Sequence, residues 1–353
     1  MEVLISNNSI LEIGDYDKWT LSQLCFNHLK YKMQMKKSMA PKSFDRIETT
    51  IKNQISKYPI GAYQINSIRP YEIEKHIKNL LASGLKSSSV MKVWLEINSG
   101  YKWAIKQEYI SHNPCDKIAD EVNDELKRVK NIEEYDSTIT VLSETEERKL
   151  EEIALKKDGI SYVYNGVGPM AVFTKEIGIR GGEACALKWK DYHRDTQTIF
   201  VHKKRVVIKN REDSGTNYIT VEGRLKNLKE RNLELFPSAI KILEEVYNST
   251  TYKSDEDYIF VNSFGKPYNS SIFGKRLGGI YKECGFDKSE ISGSHILRRT
   301  FATNRYFEGA DVATIADYIG DTVETVLKCY INRKKKIMVD GRYIEVVPLP
   351  QKK

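Results

Sequence analysis

The segment SHILRRTFAT, residues 294–303, decides how we interpret the fold of this chain. It contains His295 and Arg298, whose three-residue spacing places both side chains on one face of an α-helix. An arginine keeps its positive charge, while an imidazole exchanges a proton near pH ~6.5, so the pair suits chemistry on an anion. Such a pair also recurs by chance, and its meaning depends on the segments around it.

Two patterns precede this segment. The stretch GIRGGEACALKW, residues 178–189, predicts a turn that leads into a helix, with Arg180 in the turn and Glu183 three residues later. The stretch KNLKER, residues 226–231, predicts a basic turn between two strands and contains Lys226. Taken singly, Arg180 suits a salt bridge with Glu183 at a helix start, and Lys226 suits a solvated surface charge.

A fourth pattern follows. Residues 309–321 begin with Gly-Ala-Asp and end with a glycine and Asp321. Tyr330 comes next, 35 residues after His295, on a further predicted helix. Taken alone, Tyr330 is one of 21 tyrosines in the chain.

Together, the four patterns resemble those of the tyrosine recombinase (phage integrase) family. The catalytic domain of that family carries an arginine in a G-[LI]-R-x-x-E turn, a lysine on a β-hairpin, H-x-x-R, a G-H-x-x turn and a C-terminal tyrosine. The resemblance covers roughly residues 140–335, and the helical segment before them resembles the family's core-binding domain. It implies a mainly α chain with a small antiparallel β-sheet (α+β), in which a helical core-binding domain precedes a tyrosine-recombinase catalytic domain.

The resemblance assigns a role to each residue. Metal-free cleavage of a DNA phosphodiester needs charge neutralisation, a nucleophile and a proton for the leaving oxygen. We expect Arg180 and Arg298 to neutralise the phosphorane, Tyr330 to form a 3′-phosphotyrosyl bond, and Lys226 to act as general acid. Lys229 is the alternative to Lys226.

His295 and Glu183 have supporting roles in this interpretation. His295 donates a hydrogen bond to a non-bridging oxygen or takes the proton of the tyrosine. Glu183 orients the active-site arginine or a helix end and does not touch substrate.

Asp321 departs from the family pattern, which usually has histidine or tryptophan there. A carboxylate repels a phosphate by about 1 kcal/mol at ~4 Å in water and by more in a drier site. We therefore expect Asp321 to face away, to pair with a cation such as Arg298, or to be held protonated. Reduced cleavage is one consequence.

The domain plan follows the changes in periodicity along the chain. We predict an N-terminal extension (1–14), a helical core-binding domain (15–112), a linker (113–140), a catalytic domain (141–335) and a C-terminal tail (336–353). Prolines and serines mark the helix starts of the first domain, and Ser143 with Glu146 forms a capping box that opens the second. Strands are predicted over 198–207, 218–221, 233–235 and 342–348.

The charge balance favours a polyanionic partner. Lys and Arg number 56 against 48 Asp and Glu, a formal net charge of +8, and basic residues that neutralise phosphates release counterions. The expected phosphate contacts are Lys42, Arg46, Lys86, Lys92, Lys102, Lys203, Lys204 and Arg205. Five widely spaced cysteines without a C-x-x-C pair, and no long apolar run, predict a cytoplasmic protein outside the membrane.

The expected function is site-specific DNA recombination through strand exchange and a Holliday junction. The family implies double-stranded DNA as substrate, a homo-tetramer on two DNA sites, accessory DNA-bending proteins as further partners, and no metal or other cofactor. Two alternatives stay open: DNA relaxation like that of type IB topoisomerases, and a DNA-binding protein with impaired cleavage. The sequence leaves the target site and the choice between integration, excision and dimer resolution open.

Overall fold

A computed structural model describes residues 16–35, 39–135, 139–211, 217–225, 230–331, 335–339 and 342–346. The chain divides into two compact units, which are described separately. The first consists of Met1–Ser137 and Ile208–Tyr218, and the second of Thr138–Val207 and Ile219–Lys353. No helix in the described ranges combines the length and apolarity that a membrane crossing requires.

The first unit is helical around one apolar core. Prolines open two of its helices because proline has no N–H to leave unsatisfied in the first turn. The stripe on the longest helix, from Val90 to Ala104, is buried as its spacing predicts. The helices are α1 (Leu21–Met35), α2 (Pro41–Ile51), α3 (Pro70–Ala82), α4 (Ser87–Lys106) and α5 (Ala119–Tyr135).

Two expectations for this part of the chain are wrong. A serine cap was predicted for α4, but the cap residue is Lys86, and the Ser87 hydroxyl donates to Glu133 instead. Residues 113–140 were predicted to be a linker, but a 3-10 turn (Pro114–Ile118) and α5 fill most of that segment. The reason is a sparse apolar stripe that packs into the first core and was obscured by the surrounding charges: Cys115, Ile118, Val122 and Leu126.

The second unit contains eight helices among its described residues. They are α6 (Glu144–Ala154), α7 (Val167–Ile177), α8 (Gly181–Ala184), α9 (Pro237–Ser249), α10 (Ser270–Glu283), α11 (His295–Phe307), α12 (Val312–Ile319) and α13 (Val323–Cys329). The predicted capping box is confirmed, since Glu146 N–H donates to Ser143 Oγ and Ser143 N–H donates to the Glu146 carboxylate. Helices α7 and α11 contact each other and hold the centre of the core.

The strands are short and antiparallel. They are β1 (Lys157–Asp158), β2 (Ser161–Tyr162), β3 (Tyr192–His193), β4 (Thr198–Val201), β5 (Lys203–Lys209), β6 (Tyr218–Arg224), β7 (Arg231–Glu234), β8 (Lys335–Val339) and β9 (Arg342–Val346). β4 pairs with both β3 and β7, β5 pairs with β6, and β8 pairs with β9. The predicted strand over 198–207 is split at His202. The mainly α architecture with small antiparallel sheets is confirmed.

The tip of the β5–β6 hairpin belongs to the first unit. There, Lys209 pairs with Glu48 at 2.9 Å, and Arg211 pairs with Asp45 at 2.5 Å. The Arg211 guanidinium also lies 4.3 Å from the centre of the Phe44 ring. These two basic residues of the hairpin are therefore neutralised by acidic side chains of α2.

Candidate active site

The Arg180 turn is fixed by the end of one helix and the start of the next. Gly178 ends α7 with a φ of 63°, a left-handed conformation that favours glycine. Arg180 then caps α8, where Glu183 accepts from the Arg180 backbone N–H at 3.1 Å and from its guanidinium at 3.0 Å. The G-I-R-G-G-E sequence thus produces both the turn and the orientation of the arginine.

Arg298 is the most deeply placed charge of the site. The residue is 0% exposed and lies one turn into α11. Its Nη1 donates to Gly178 O at 2.9 Å and to Ile319 O at 2.8 Å, and its Nη2 donates to Asp321 at 3.0 Å. Burial and the nearby charge of Arg180 lower the pKa of Arg298. The guanidinium therefore links α7 and α12 while it faces the site.

Asp321 joins the two arginines. It follows Gly320, which ends α12 with a φ of 70°, and its Oδ2 lies 2.6 Å from Arg180 Nη2 and 3.0 Å from Arg298 Nη2. Burial acts to raise the pKa of Asp321, but the two guanidinium groups outweigh it and hold the pKa below its ordinary value. Of the three expectations for Asp321, the structure shows pairing with cations, which are Arg180 and Arg298.

Tyr330 lies immediately after α13, and only 7% of it is exposed. Thr303 on α11 donates to the Tyr330 backbone carbonyl at 3.1 Å. The Arg298 guanidinium carbon lies 4.8 Å from the centre of the phenol ring, and the hydroxyl donates to Asp321 Oδ2 at 3.2 Å. The tyrosine selected by spacing therefore lies within the same unit beside both arginines.

His295 is the first residue of α11 and is exposed at the edge of the site. Desolvation and the positive charges of Arg298, Arg299 and Arg180 lower the pKa of His295, while Asp321 acts in the opposite direction. The imidazole is therefore neutral over a wider pH range than an isolated histidine and is able to accept a proton.

Arg231 is a site residue that the sequence interpretation missed. At the start of β7, its Nη2 donates to Glu183 Oε2 at 2.8 Å, and its Nε donates to Tyr318 O at 3.0 Å. Burial raises the pKa of Glu183, but Arg231 and Arg180 outweigh this and lower it. The signal was the arginine that ends the basic turn KNLKER, directly before a strand.

The remaining predicted residues are distributed over both units. Lys226 and its alternative Lys229 lie outside the described residues. Arg205 is engaged by the protein, because it donates to Tyr258 Oη at 2.7 Å and to Tyr268 O at 3.0 Å. Lys204 is partly buried, and Lys203 lies 3.7 Å from a Glu222 oxygen.

Basic residues of the first unit were also predicted to contact phosphates. Lys42, Arg46 and Lys92 line one groove of about 530 Å³ beside α2. Lys86 and Lys102 are exposed elsewhere on the surface of that unit.

Comparisons with known proteins identify a matching family model and several relatives. Residues 169–336 match the model of the phage integrase family. The ICEBs1 integrase of Bacillus subtilis strain 168 is 22% identical over 313 residues, which cover 85% of this chain and 77% of that protein. The tyrosine recombinase XerC of Pediococcus pentosaceus is 21% identical over 301 residues, covering 83% of this chain and 85% of that protein.

Solved structures show the same fold. The Tn1549 transposon integrase in complex with a circular intermediate DNA superposes with a TM-score of 0.68 at 16% identity, over 88% of this chain and 95% of that one. The lambda integrase tetramer bound to a Holliday junction gives a TM-score of 0.58 at 16% identity, over 87% of this chain and 75% of that one. Residues 169–336, which contain Arg180, His295, Arg298 and Tyr330, therefore form a domain of the phage integrase family.

Proposed function

We propose that this protein recombines double-stranded DNA at specific sites through a covalent 3′-phosphotyrosyl intermediate. One observation carries the proposal: the guanidinium groups of Arg180 and Arg298 and the hydroxyl of Tyr330 all lie within 3.2 Å of a single point, the Oδ2 atom of Asp321. A phosphate near that point would have two permanent cations and a nucleophile beside it.

The reaction is a pair of balanced transfers at phosphorus. Tyr330 Oη bonds to the scissile phosphorus as the bond to the 5′ oxygen breaks, and the leaving oxygen takes a proton from Lys226. The phenolic proton passes to His295, whose lowered pKa keeps it neutral and able to accept. The 5′-hydroxyl of another strand then displaces the tyrosine, so that rejoining needs no nucleotide and no metal.

Strand exchange in two steps passes through a Holliday junction held by four copies of the chain on two DNA sites. The similarity of the fold to the lambda integrase tetramer bound to a Holliday junction supports this assembly.

The helical unit would contact DNA phosphates through the basic groove that contains Lys42, Arg46 and Lys92. The protein would act in the cytoplasm, and DNA-bending proteins would assist it.

The position of Asp321 favours one second candidate, a DNA-binding protein with impaired cleavage. The ionised carboxylate already neutralises part of the charge of Arg180 and Arg298. If it stayed there on DNA, it would repel the scissile phosphate. The protein would then bind its site without breaking it.

A nicked suicide substrate distinguishes the two candidates. Duplexes are made from the DNA sequences that flank the gene, with a nick that lets the cleaved fragment diffuse away. The proposal expects a protein–DNA adduct that survives denaturing electrophoresis with the wild type and disappears with Tyr330→Phe. Tight binding to the same duplex without any adduct would reject the recombinase in favour of the binding protein.

A further inference from the structure

Asp321 Oδ2 takes the place at which the two arginines and the tyrosine hydroxyl meet. It lies 2.6 Å from Arg180 Nη2, 3.0 Å from Arg298 Nη2 and 3.2 Å from Tyr330 Oη. Under the proposed function, on which this inference rests, these are the groups that surround a non-bridging oxygen of the scissile phosphate. A carboxylate and a phosphate cannot share them, because both are anions that use the same donors.

The Asp321 carboxylate uses only part of the hydrogen-bonding capacity of the Arg298 guanidinium. Nη1 is used by two backbone carbonyls, those of Gly178 and Ile319, and Nη2 is used by Asp321. The Nε atom is buried and has no hydrogen-bond partner among the described residues. Nε and Nη2 form one edge of the guanidinium, the fork that grips two oxygens of one anion. Asp321 satisfies only one arm of that fork.

The attachment of Asp321 allows it to leave. It lies between Gly320, which has a left-handed backbone, and Thr322, which caps α13. Its second oxygen, Oδ1, accepts a long hydrogen bond of 3.3 Å from the Thr322 backbone N–H. Rotation of one side chain would therefore free both arginines without moving either helix.

We propose that Asp321 is an internal substitute for the substrate phosphate, which holds the arginines and Tyr330 together and must be displaced when DNA binds. The carboxylate lowers the affinity of the site for phosphate because only the displaced fraction of molecules is competent to bind. DNA must therefore supply enough binding free energy to displace the Asp321 carboxylate, and weakly bound or non-specific DNA does not supply it.

Inorganic phosphate is a suitable probe because its binding requires neither a target sequence nor cleavage. The affinity is obtained from the rise in Tm of the full-length protein with phosphate concentration. Asp321→Asn should bind phosphate at least about tenfold more tightly than the wild type. The matched control is Asp317→Asn, which removes the same charge from the exposed side of α12 and should leave the affinity unchanged.

The gain must also depend on the arginine fork. Asp321→Asn combined with Arg298→Lys should lose the tighter binding, since lysine cannot offer two parallel donors. An affinity of Asp321→Asn equal to or lower than that of the wild type would overturn the proposal. An equal gain with Asp317→Asn would overturn it as well, because it would reveal a general effect of net charge.

A second measurement applies if Asp321→Asn does not fold. In a crystal structure of the wild type grown with orthovanadate, the proposal expects the anion between Arg298 and Arg180 with the Asp321 side chain turned away. An anion elsewhere, with Asp321 still on both arginines, would reject it. Neither test involves DNA cleavage, so a protein that never forms a tyrosyl adduct would refute the proposed function and leave this result standing.

Discussion

Arg231 and Glu183 form a buried ion pair of 2.8 Å that connects β7 to the turn carrying Arg180. Their side chains are 9% and 2% exposed. Glu183 also accepts a hydrogen bond from Arg180 at 3.0 Å, so one carboxylate contacts both the proposed active-site arginine and Arg231. We infer that Arg231 is a positioning residue.

Replacing Arg231 should therefore lower the free energy of unfolding much more than replacing a surface arginine. Arg231→Ala leaves a buried carboxylate with one partner, and we expect the free energy of unfolding to fall by about 3 kcal/mol. Arg194→Ala is the matched control, because the Arg194–Glu244 pair is 44% and 40% exposed and should contribute less than about 1 kcal/mol. Urea denaturation of both variants measures the difference, and equal losses would contradict the role of Arg231.

Replacement of Arg298 by lysine should show whether the site requires only a positive charge or also the hydrogen-bonding geometry of a guanidinium. Arg298→Lys keeps the charge but cannot reach Gly178 O, Ile319 O and Asp321 together. We expect a loss of stability of about 1–3 kcal/mol and a fall in the rate of adduct formation of roughly a hundredfold or more.

The partly exposed Arg180 is the comparison for Arg298. Arg180→Lys should reduce the rate similarly with a smaller loss of stability, since its side chain is 22% exposed. Thermal melting and single-turnover assays measure the two effects. A stable and active Arg298→Lys would show that the buried guanidinium is not required.

Local sequence predicted much of the structure. The prolines that open α2 and α3 and the capping box of Ser143 with Glu146 are local signals, and the structure bears them out. The spacing of His295, Arg298 and Tyr330 also predicted residues that the fold brings to one side of the second unit.

Long-range contacts account for what was missed. The stripe of α5 is too sparse among charges to predict burial until the core it packs on is known. The role of Arg231 depends on Glu183, which is 48 residues distant in sequence. Whether Asp321 faces away, pairs with a cation or is protonated could be decided only from the positions of Arg180 and Arg298, which belong to other elements. Periodicity carries no information about such pairings.

The turn at Gly320 should tolerate no side chain. Its φ is 70°, and an added Cβ would lie 2.9 Å from Arg231 Nη1, which Glu183 and Tyr318 hold in place. Gly320→Ala should lower the free energy of unfolding by about 1–2 kcal/mol because of the left-handed backbone, and by a further amount because of the steric contact with Arg231. Gly309→Ala, with a φ of 96° and no atom of the described residues within 4 Å of the added Cβ, should lose only the stability that the left-handed backbone costs. Equal Tm changes would show that the Arg231 contact is unimportant.

The pH dependence of cleavage should identify His295. The pKa of His295 is lowered by desolvation and by the charges of Arg298, Arg299 and Arg180, against the opposing charge of Asp321. Because only the neutral imidazole accepts a proton, the rate of adduct formation should fall with acidification, with a midpoint below about 6.5.

The control for that experiment is His295→Asn, which should be slower and should lack this transition. Single-turnover rates between about pH 5 and pH 8 test it, around the ordinary histidine value. A transition that persists in His295→Asn, or one centred above the ordinary value, would assign the titration to another group.

The central claim concerns the oxygen of Tyr330, and mass spectrometry of the trapped adduct tests it most directly. Protein incubated with a nicked suicide duplex is digested with nuclease and protease, and the nucleotide-bearing peptide is sequenced. The account predicts a single modified peptide in which Tyr330 carries the 3′-phosphate of the cleaved strand. A nucleotide on any other residue, or a 5′-phosphate linkage at Tyr330, would contradict it.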